Sequence, residues 1–252
     1  MSATPINILV IGMAGSGKTS LVSKLADTIG PRKLIVNLDP AVKSLPYTPD
    51  IDIREKQDHR KVMEVHGLGP NGATMTCLNL FALESMAIAE TLEKKKGEVD
   101  FVLIDTPGQI EAFTWSVSGE ILTRTFSLAF PTVVVYVADT PRCESPLTFS
   151  SNLLYCCSIL YKLQKKAVLA FNKTDAKDHA FAIEWMKNPH DFLRESNSTM
   201  AGMFSQAITS VLEEFHQAIP TVGISARTGD GLGELLGKIR AEATRESEES
   251  RP

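Results

Sequence analysis

The stretch Ile6-Asn-Ile-Leu-Val-Ile-Gly12-Met-Ala-Gly15-Ser16-Gly17-Lys18-Thr19-Ser20-Leu-Val-Ser-Lys-Leu-Ala-Asp-Thr-Ile29 decides the fold. Ile6–Ile11 is an unbroken apolar run and reads as a strand buried on both faces. Gly17–Ile29 spaces its apolar residues as an amphipathic helix. Between them, Gly12–Thr19 fits G-x-x-x-x-G-K-[ST]. The glycines let the backbone curl so that successive N–H groups face one point, and the helix adds the positive end of its dipole there. That arrangement cradles phosphates. Lys18 reaches the β- and γ-phosphates, and the Thr19 hydroxyl ligates Mg²⁺. Gly15, Ser16, Gly17 and Ser20 complete the phosphate-binding set. A glycine-rich turn without a ligand is the competing reading, and the strand before and helix after disfavour it.

Outward from this unit, short apolar runs alternate with helical patterns. Leu34–Leu38, Phe101–Ile104, Thr132–Ala138 and Ala167–Phe171 read as further buried strands, and Val222–Ile224 as a short last one. Strand–helix alternation with doubly buried strands predicts an α/β fold, a doubly wound, mostly parallel sheet flanked by helices, as in P-loop NTPases. Two stretches break the rhythm. Residues 40–72 carry Pro40, Pro46, Pro49 and Pro70, many charges and no clear strand. Residues 176–219 read as a mostly helical insertion before the last strand, with Phe181, Trp185, Met186, Phe192, Met200, Met203, Phe204, Val211, Leu212 and Phe215. The spacing of Phe181/Trp185 and Leu212/Phe215 favours core packing, although Met and Phe also suit an adaptable groove for client segments. One domain over 1–246 and a polar tail over 247–252 account for the chain.

Polar residues follow several strands. Asp105-Thr-Pro-Gly108-Gln109 comes after Phe101–Ile104 and offers Asp105 to Mg²⁺, Gly108 as a hinge toward the γ-phosphate, and Gln109 to orient water. Glu111 lies two residues on. Asp39, in Asn37-Leu-Asp-Pro-Ala41, is a second carboxylate at the ligand-binding edge of the sheet. It suits water activation or the Mg²⁺ shell, and a turn cap fits its spacing as well. Asn172-Lys173-Thr174-Asp175 follows Ala167–Phe171. Asp175 can accept from both N1–H and the N2 amino group of guanine, a pattern adenine lacks, so GTP and GDP are the expected nucleotides. Lys173 can lie over the base, Asn172 can brace the loop, and Ser225-Ala226 can offer a backbone N–H to guanine O6. No arginine near the phosphate loop or Gln109 in sequence serves as a charge-neutralising finger, so another group must do so.

Composition narrows the partners. Of 252 residues, 43% are hydrophobic and 22% charged, enough for a sizeable core. The formal net charge is −4, which gives no electrostatic footprint for direct nucleic-acid binding. No apolar stretch reaches a membrane-span length and no secretory leader opens the chain, so neither a membrane nor secretion is expected. Cys77, Cys143, Cys156 and Cys157 lack zinc spacing and read as reduced thiols of a cytosolic or nuclear protein.

The combined motifs resemble those of the GPN-loop GTPase family. Gly69-Pro70-Asn71 within Gly67–Gly72 supplies the name-giving tripeptide, beside Asn37–Ala41, Asp105–Glu111 and Asn172–Asp175. Ile51–Arg54, Phe113–Ser116, Phe130–Val133 and Ser158–Lys162 point to its type-1 branch, and the resemblance spans nearly the whole chain. It implies a dimer, as homodimer or as heterodimer with another GPN-loop GTPase, in which the GPN loop of one subunit reaches the partner's nucleotide. There Asn71 steadies the γ-phosphate, while Asp39, Gln109 and Glu111 serve water activation and loop support. A partner-supplied loop would also answer the missing arginine, and an arginine supplied in trans fits equally. The resemblance further implies assembly and nuclear import of RNA polymerase II, contact with its subunits or assembly intermediates, and a cytoplasmic protein that shuttles to the nucleus. A nucleotide-gated binding module, with hydrolysis secondary, is the alternative.

Overall fold

The structure, a computed structural model, describes residues 4–188 and 219–249. Seven strands form one sheet in the order β3-β2-β4-β1-β5-β6-β7. They are β1 (Ile6–Gly12), β2 (Lys33–Asn37), β3 (Ile51–Asp52), β4 (Phe101–Asp105), β5 (Thr132–Asp139), β6 (Ala167–Asn172) and β7 (Thr221–Gly223). Every pairing is parallel. The chain winds outward on both sides of β1, so β1 ends at the switch point where open α/β sheets bind ligands.

The alternation along β1 shows why the sheet is double-faced. Ile8 and Val10 enter one core with Leu21, Val22 and Leu25 of α1 (Lys18–Ile29) and Leu235 and Ile239 of the C-terminal helix. Leu9 and Ile11 enter the other, with Phe81, Phe113, Phe126, Phe149 and Trp185. Successive side chains of a strand point to opposite faces, so a strand with both faces covered must be apolar throughout.

The proline-rich stretch holds more structure than its sequence suggests. β3 pairs with β2 through Val36–Ile51 and Asn37–Asp52. The two short helices α2 (Ile53–Lys56) and α3 (His59–His66) follow, capped by the side chains of Asp52 and Asp58. The expectation of no strand there is thus corrected: a two-residue edge strand is too short to carry a periodicity. The GPN tripeptide also lies less in a loop than at a helix start. Gly69 is the N-cap and Pro70 opens the first turn of α4 (Pro70–Ala82), where proline's missing N–H costs nothing.

The second core is covered by α4, α5 (Ser85–Lys94), α6 (Ile110–Thr114), α7 (Val117–Ala129), α8 (Pro146–Leu163) and α9 (Ala180–Lys187). Phe181 and Trp185 pack edge to face at 5.1 Å, and Trp185 meets Phe149 at 5.2 Å; Trp185 belongs to the core and Phe181 lies half-buried against it. The other residues singled out in that insertion, Phe192, Met200, Met203, Phe204, Val211, Leu212 and Phe215, lie outside the described residues. α10 (Leu232–Glu249) ends the described chain and runs past residue 246. Among the described residues no single helix is long and apolar enough to cross a membrane. Cys77, Cys143 and Cys156 are buried free thiols.

Candidate functional site

The phosphate loop is built by close approach. A Cβ on Gly12 would lie 2.4 Å from the Val137 carbonyl oxygen, and one on Gly17 would lie 2.4 Å from Asn172 Nδ2. Gly15 and Gly17 adopt φ of 79° and 96°, which L side chains resist. Lys18, 5% exposed, donates from Nζ to Gly12 O at 2.8 Å and Met13 O at 3.2 Å, with Gly108 O at 3.5 Å. Burial lowers its pKa, while Asp105 and Asp39 pull it back up. Ser16 is buried, Thr19 half-buried and Ser20 exposed at the start of α1.

The base side interlocks with this loop. Asn172 is buried at the end of β6. Its Nδ2 donates to Ser16 O at 2.8 Å, and its Oδ1 accepts from Lys173 N at 2.8 Å and Ala226 N at 2.9 Å. One side chain therefore joins phosphate loop, base motif and the turn after β7. Lys173, at φ 70°, donates from Nζ to Gly15 O at 2.8 Å and to Asp139 Oδ2 at 2.6 Å. Asp175 accepts from Ser225 Oγ at 2.7 Å, and Arg227 stands 3.8 Å away. The Ser225 and Ala226 amides are already committed, to Asp230 O at 3.0 Å and to Asn172 Oδ1. Bonding of guanine O6 by either requires sharing one of these bonds.

Two residues of this wall escaped the sequence reading. Asp139 ends β5 and holds Lys173. Arg142 donates from Nη1 to Ala14 O at 3.2 Å and pairs with Asp139 at 3.5 Å. So the fold does bring an arginine to the phosphate loop, from 128 positions away in sequence. Its contacts make it a brace on the loop carbonyls. The available signal was positional: β4, β5 and β6 all end on Asp or Asn at the carboxyl edge.

On the water side, Asp105 is fully buried at the end of β4. Its Oδ2 accepts from the Tyr47 hydroxyl at 2.7 Å, a contact no motif announces. Its Oδ1 is buried with no partner at hydrogen-bond geometry. Burial raises its pKa to about 6, opposed by the Tyr47 and Thr19 hydroxyls and Lys18, and reinforced by Asp39. An orphaned carboxylate oxygen beside a threonine hydroxyl fits a hard divalent cation. Among the described residues no cluster of three or more His, Cys, Asp or Glu offers an all-protein cage. Mg²⁺ is ordinarily held by one or two protein groups plus phosphates and water.

Asp39 accepts from Ala41 N at 2.9 Å through Oδ1 and from Gly108 N at 3.2 Å through Oδ2. Gln109 donates from Nε2 to Asn71 Oδ1 of the same chain at 2.6 Å, and both side chains are exposed. The fold thus brings Asp39, Gly108, Gln109 and Asn71 together. Glu111 is exposed in the first turn of α6, apart from this hydrogen-bonded set.

Fold and site define a P-loop NTPase: phosphate loop after the central strand, buried carboxylate beside it, base-reading turn after β6. The comparisons narrow this. A protein-family model described as "Conserved hypothetical ATP binding protein" matches residues 10–245. The chain is 48% identical over 240 residues to GPN-loop GTPase 1 of Dictyostelium discoideum, covering 93% of this chain and 61% of that protein. It is 45% identical over 244 residues to GPN-loop GTPase 1 of Saccharomyces cerevisiae, covering 91% and 63%. Against GPN-loop GTPase 1 of Schizosaccharomyces pombe it is 40% identical over 263 residues, covering 98% and 71%. It spans about three fifths of the length of the first two. The apo crystal structure of a GTPase from Pyrococcus abyssi matches with a TM-score of 0.80 at 28% identity, over 94% of this chain and 97% of that one. The chain belongs to the GPN-loop GTPase family.

Proposed function

We propose that this chain binds GTP with Mg²⁺ and hydrolyses it to GDP and phosphate. The Asn172 bridge carries the reading, because it fixes phosphate loop and base-reading turn as one nucleotide-shaped wall. The family description names ATP. The Asp175 carboxylate and the relatives' names favour guanine.

In hydrolysis the water oxygen bonds to the γ-phosphorus, the bond to the β–γ bridging oxygen breaks with that oxygen leaving on GDP, and the proton lost by the water ends on the released phosphate. Lys18 and the loop N–H groups face the charge that develops. Thr19 and Asp105 would hold Mg²⁺, which when bound neutralises charge on the β- and γ-oxygens. Gln109 spends its N–H on Asn71, which leaves Oε1 free to accept from the attacking water. Asp39 Oδ2 accepts from the N–H of Gly108, whose carbonyl lies 3.5 Å from Lys18 Nζ, which sets the carboxylate beside the phosphate-facing lysine. Glu111 supports the loop from the first turn of α6.

The working unit is a dimer, a homodimer or a heterodimer with another GPN-loop GTPase, in which Asn71 serves the partner's nucleotide. Its cellular task is assembly and nuclear import of RNA polymerase II, from a cytoplasmic pool that shuttles to the nucleus. A second reading, a nucleotide-gated binding module, is favoured by one observation: Leu83, Met86, Val117 and Leu128 on or beside α4, α5 and α7 are each at least 72% exposed. Competition of GTP, GDP, ATP and ADP for one labelled nucleotide, followed by single-turnover hydrolysis with and without EDTA, tests the enzyme reading. Equal affinity for ATP and GTP would refute the base assignment. The mass of the protein with GDP and with a non-hydrolysable GTP analogue tests the dimer.

A further inference from the structure

We infer that Asp39 tells triphosphate from diphosphate by holding the Gly108 N–H until a γ-phosphate oxygen takes it. The inference rests on the guanine-nucleotide reading above.

The geometry is a latch with one fixed end. The backbone of Asp39 is bracketed by Asn37, whose Oδ1 accepts from Asp39 N at 3.1 Å and whose Nδ2 donates to Asp39 O at 3.2 Å. Oδ1 of Asp39 is tied to Ala41 N at 2.9 Å. Only Oδ2 reaches across to another segment, and there it meets Gly108 N at 3.2 Å. At 3.2 Å this is a hydrogen bond at the long end of the ordinary N–H···O range, and it is the contact that a competing anionic oxygen would replace. Gly108 is held on its other side as well, since its carbonyl lies 3.5 Å from Lys18 Nζ. The lysine that faces the phosphates and the carboxylate that faces the hinge thus grip the same glycine.

A γ-phosphate reaching this glycine changes both contacts in one direction. Lys18 turns from a neutral carbonyl to a phosphate oxygen, the better acceptor. The Gly108 N–H has one proton, and a phosphate oxygen and a carboxylate oxygen repel each other around it. The phosphate takes the proton donor and Asp39 is freed. A diphosphate ends short of Gly108 and leaves the latch closed. Glycine is not required by the latched form itself: its φ is not positive, and a Cβ there would sit an ordinary 3.9 Å from Asp39 Oδ2. The missing side chain therefore serves a different approach to this backbone. Gln109, next in sequence, carries the shift through its 2.6 Å bond to Asn71 at the start of α4.

Asp39→Asn tests this. The amide can keep the Oδ1 bond to Ala41 N, but its NH₂ cannot accept from Gly108. In the full chain with Mg²⁺, affinities for a fluorescent GDP and for a fluorescent non-hydrolysable GTP analogue are measured. Removing the competitor should raise the preference for the GTP analogue over GDP about tenfold, as expected for a bond to a charged group, with GDP affinity within about twofold. An unchanged or lowered preference, with both nucleotides still bound, overturns the latch and makes Asp39 a water or metal group. A parent protein that binds neither guanine nucleotide refutes the functional reading instead. Should the variant melt early, hydrogen exchange at Gly108 N–H in the parent decides. The latch requires its protection and chemical shift to differ between GDP and the GTP analogue; identical values overturn it.

Discussion

The two walls of the site are built differently. The base wall is welded: Asn172 makes three bonds to three segments, and Lys173 ties the phosphate loop to Asp139. The water wall is hung: Asp39, Gly108, Gln109 and Asn71 are linked by two bonds, one of them between exposed side chains. A half that only binds profits from rigidity, because preorganised groups lose little entropy on binding. A half that must answer the loss of one phosphate needs contacts that exchange. Substitutions in the first wall should therefore remove binding, and substitutions in the second should separate binding from turnover.

The largest effect is expected for Asn172→Ala. It leaves Ser16 O, Lys173 N and Ala226 N without their partner, three losses of about 1–3 kcal/mol each if no water replaces them. Melting temperature and affinity for GTP and GDP should fall together. A normal melting point with lost binding would show the wall to be less unified than it looks. Asp175→Asn comes next. It should weaken GTP roughly 10²- to 10⁴-fold, from two bonds to a charged group at about 1.5–3 kcal/mol each, and admit xanthine nucleotides. Retained guanine preference would move base recognition elsewhere.

On the water wall, Gln109→Leu should slow single-turnover hydrolysis on the order of 10²-fold, the scale of one positioned polar group, while GDP affinity stays within about threefold. Parallel loss of both would make Gln109 a structural residue. The smallest effect, about tenfold in turnover, the scale of one hydrogen bond, is expected for Asn71→Ala. Because Gln109 grips Asn71 within one chain, the double variant should lose less than the sum of the two single losses. Independent additivity would mean the bond does nothing for turnover. The dimer proposal adds a mixing test. A Lys18→Ala subunit paired with an Asn71→Ala subunit should regain activity if Asn71 acts across subunits, once mass has shown the mixed dimer. Silence in that dimer would confine Asn71 to its own chain.

The same contrast explains what was readable in advance. Five of the seven strands announce themselves as apolar runs, because burial on both faces leaves no other composition, while β7 shows little more than the buried Val222. β3 does not, being two residues at an edge. The motif residues Lys18, Asp105, Asn172 and Asp175 come to one edge because each follows a strand that the sheet aligns. Tyr47 and Arg142 were invisible for a different reason. Their partners lie 58 and 128 positions away, and no local pattern records such a distance, whereas Asp139 left one trace, its place at the end of a strand. The commitment of the Ala226 amide to Asn172 was likewise beyond reach, since it depends on how two turns face each other.

The seating of Asn172 against the phosphate loop, in space a side chain on Gly17 would fill, has a consequence for how the protein is made. The loop that curls around phosphate owes its brace to an atom 156 positions further along the chain. At synthesis rates of about 5–20 residues per second, a nascent chain carries the finished loop sequence for roughly eight to thirty seconds before residue 172 exists to hold it. The turn after β7, which completes the same junction through Ala226, arrives later still. Nucleotide is thus a ligand of the nearly complete domain, and its capture reports that β6 has been laid against β5.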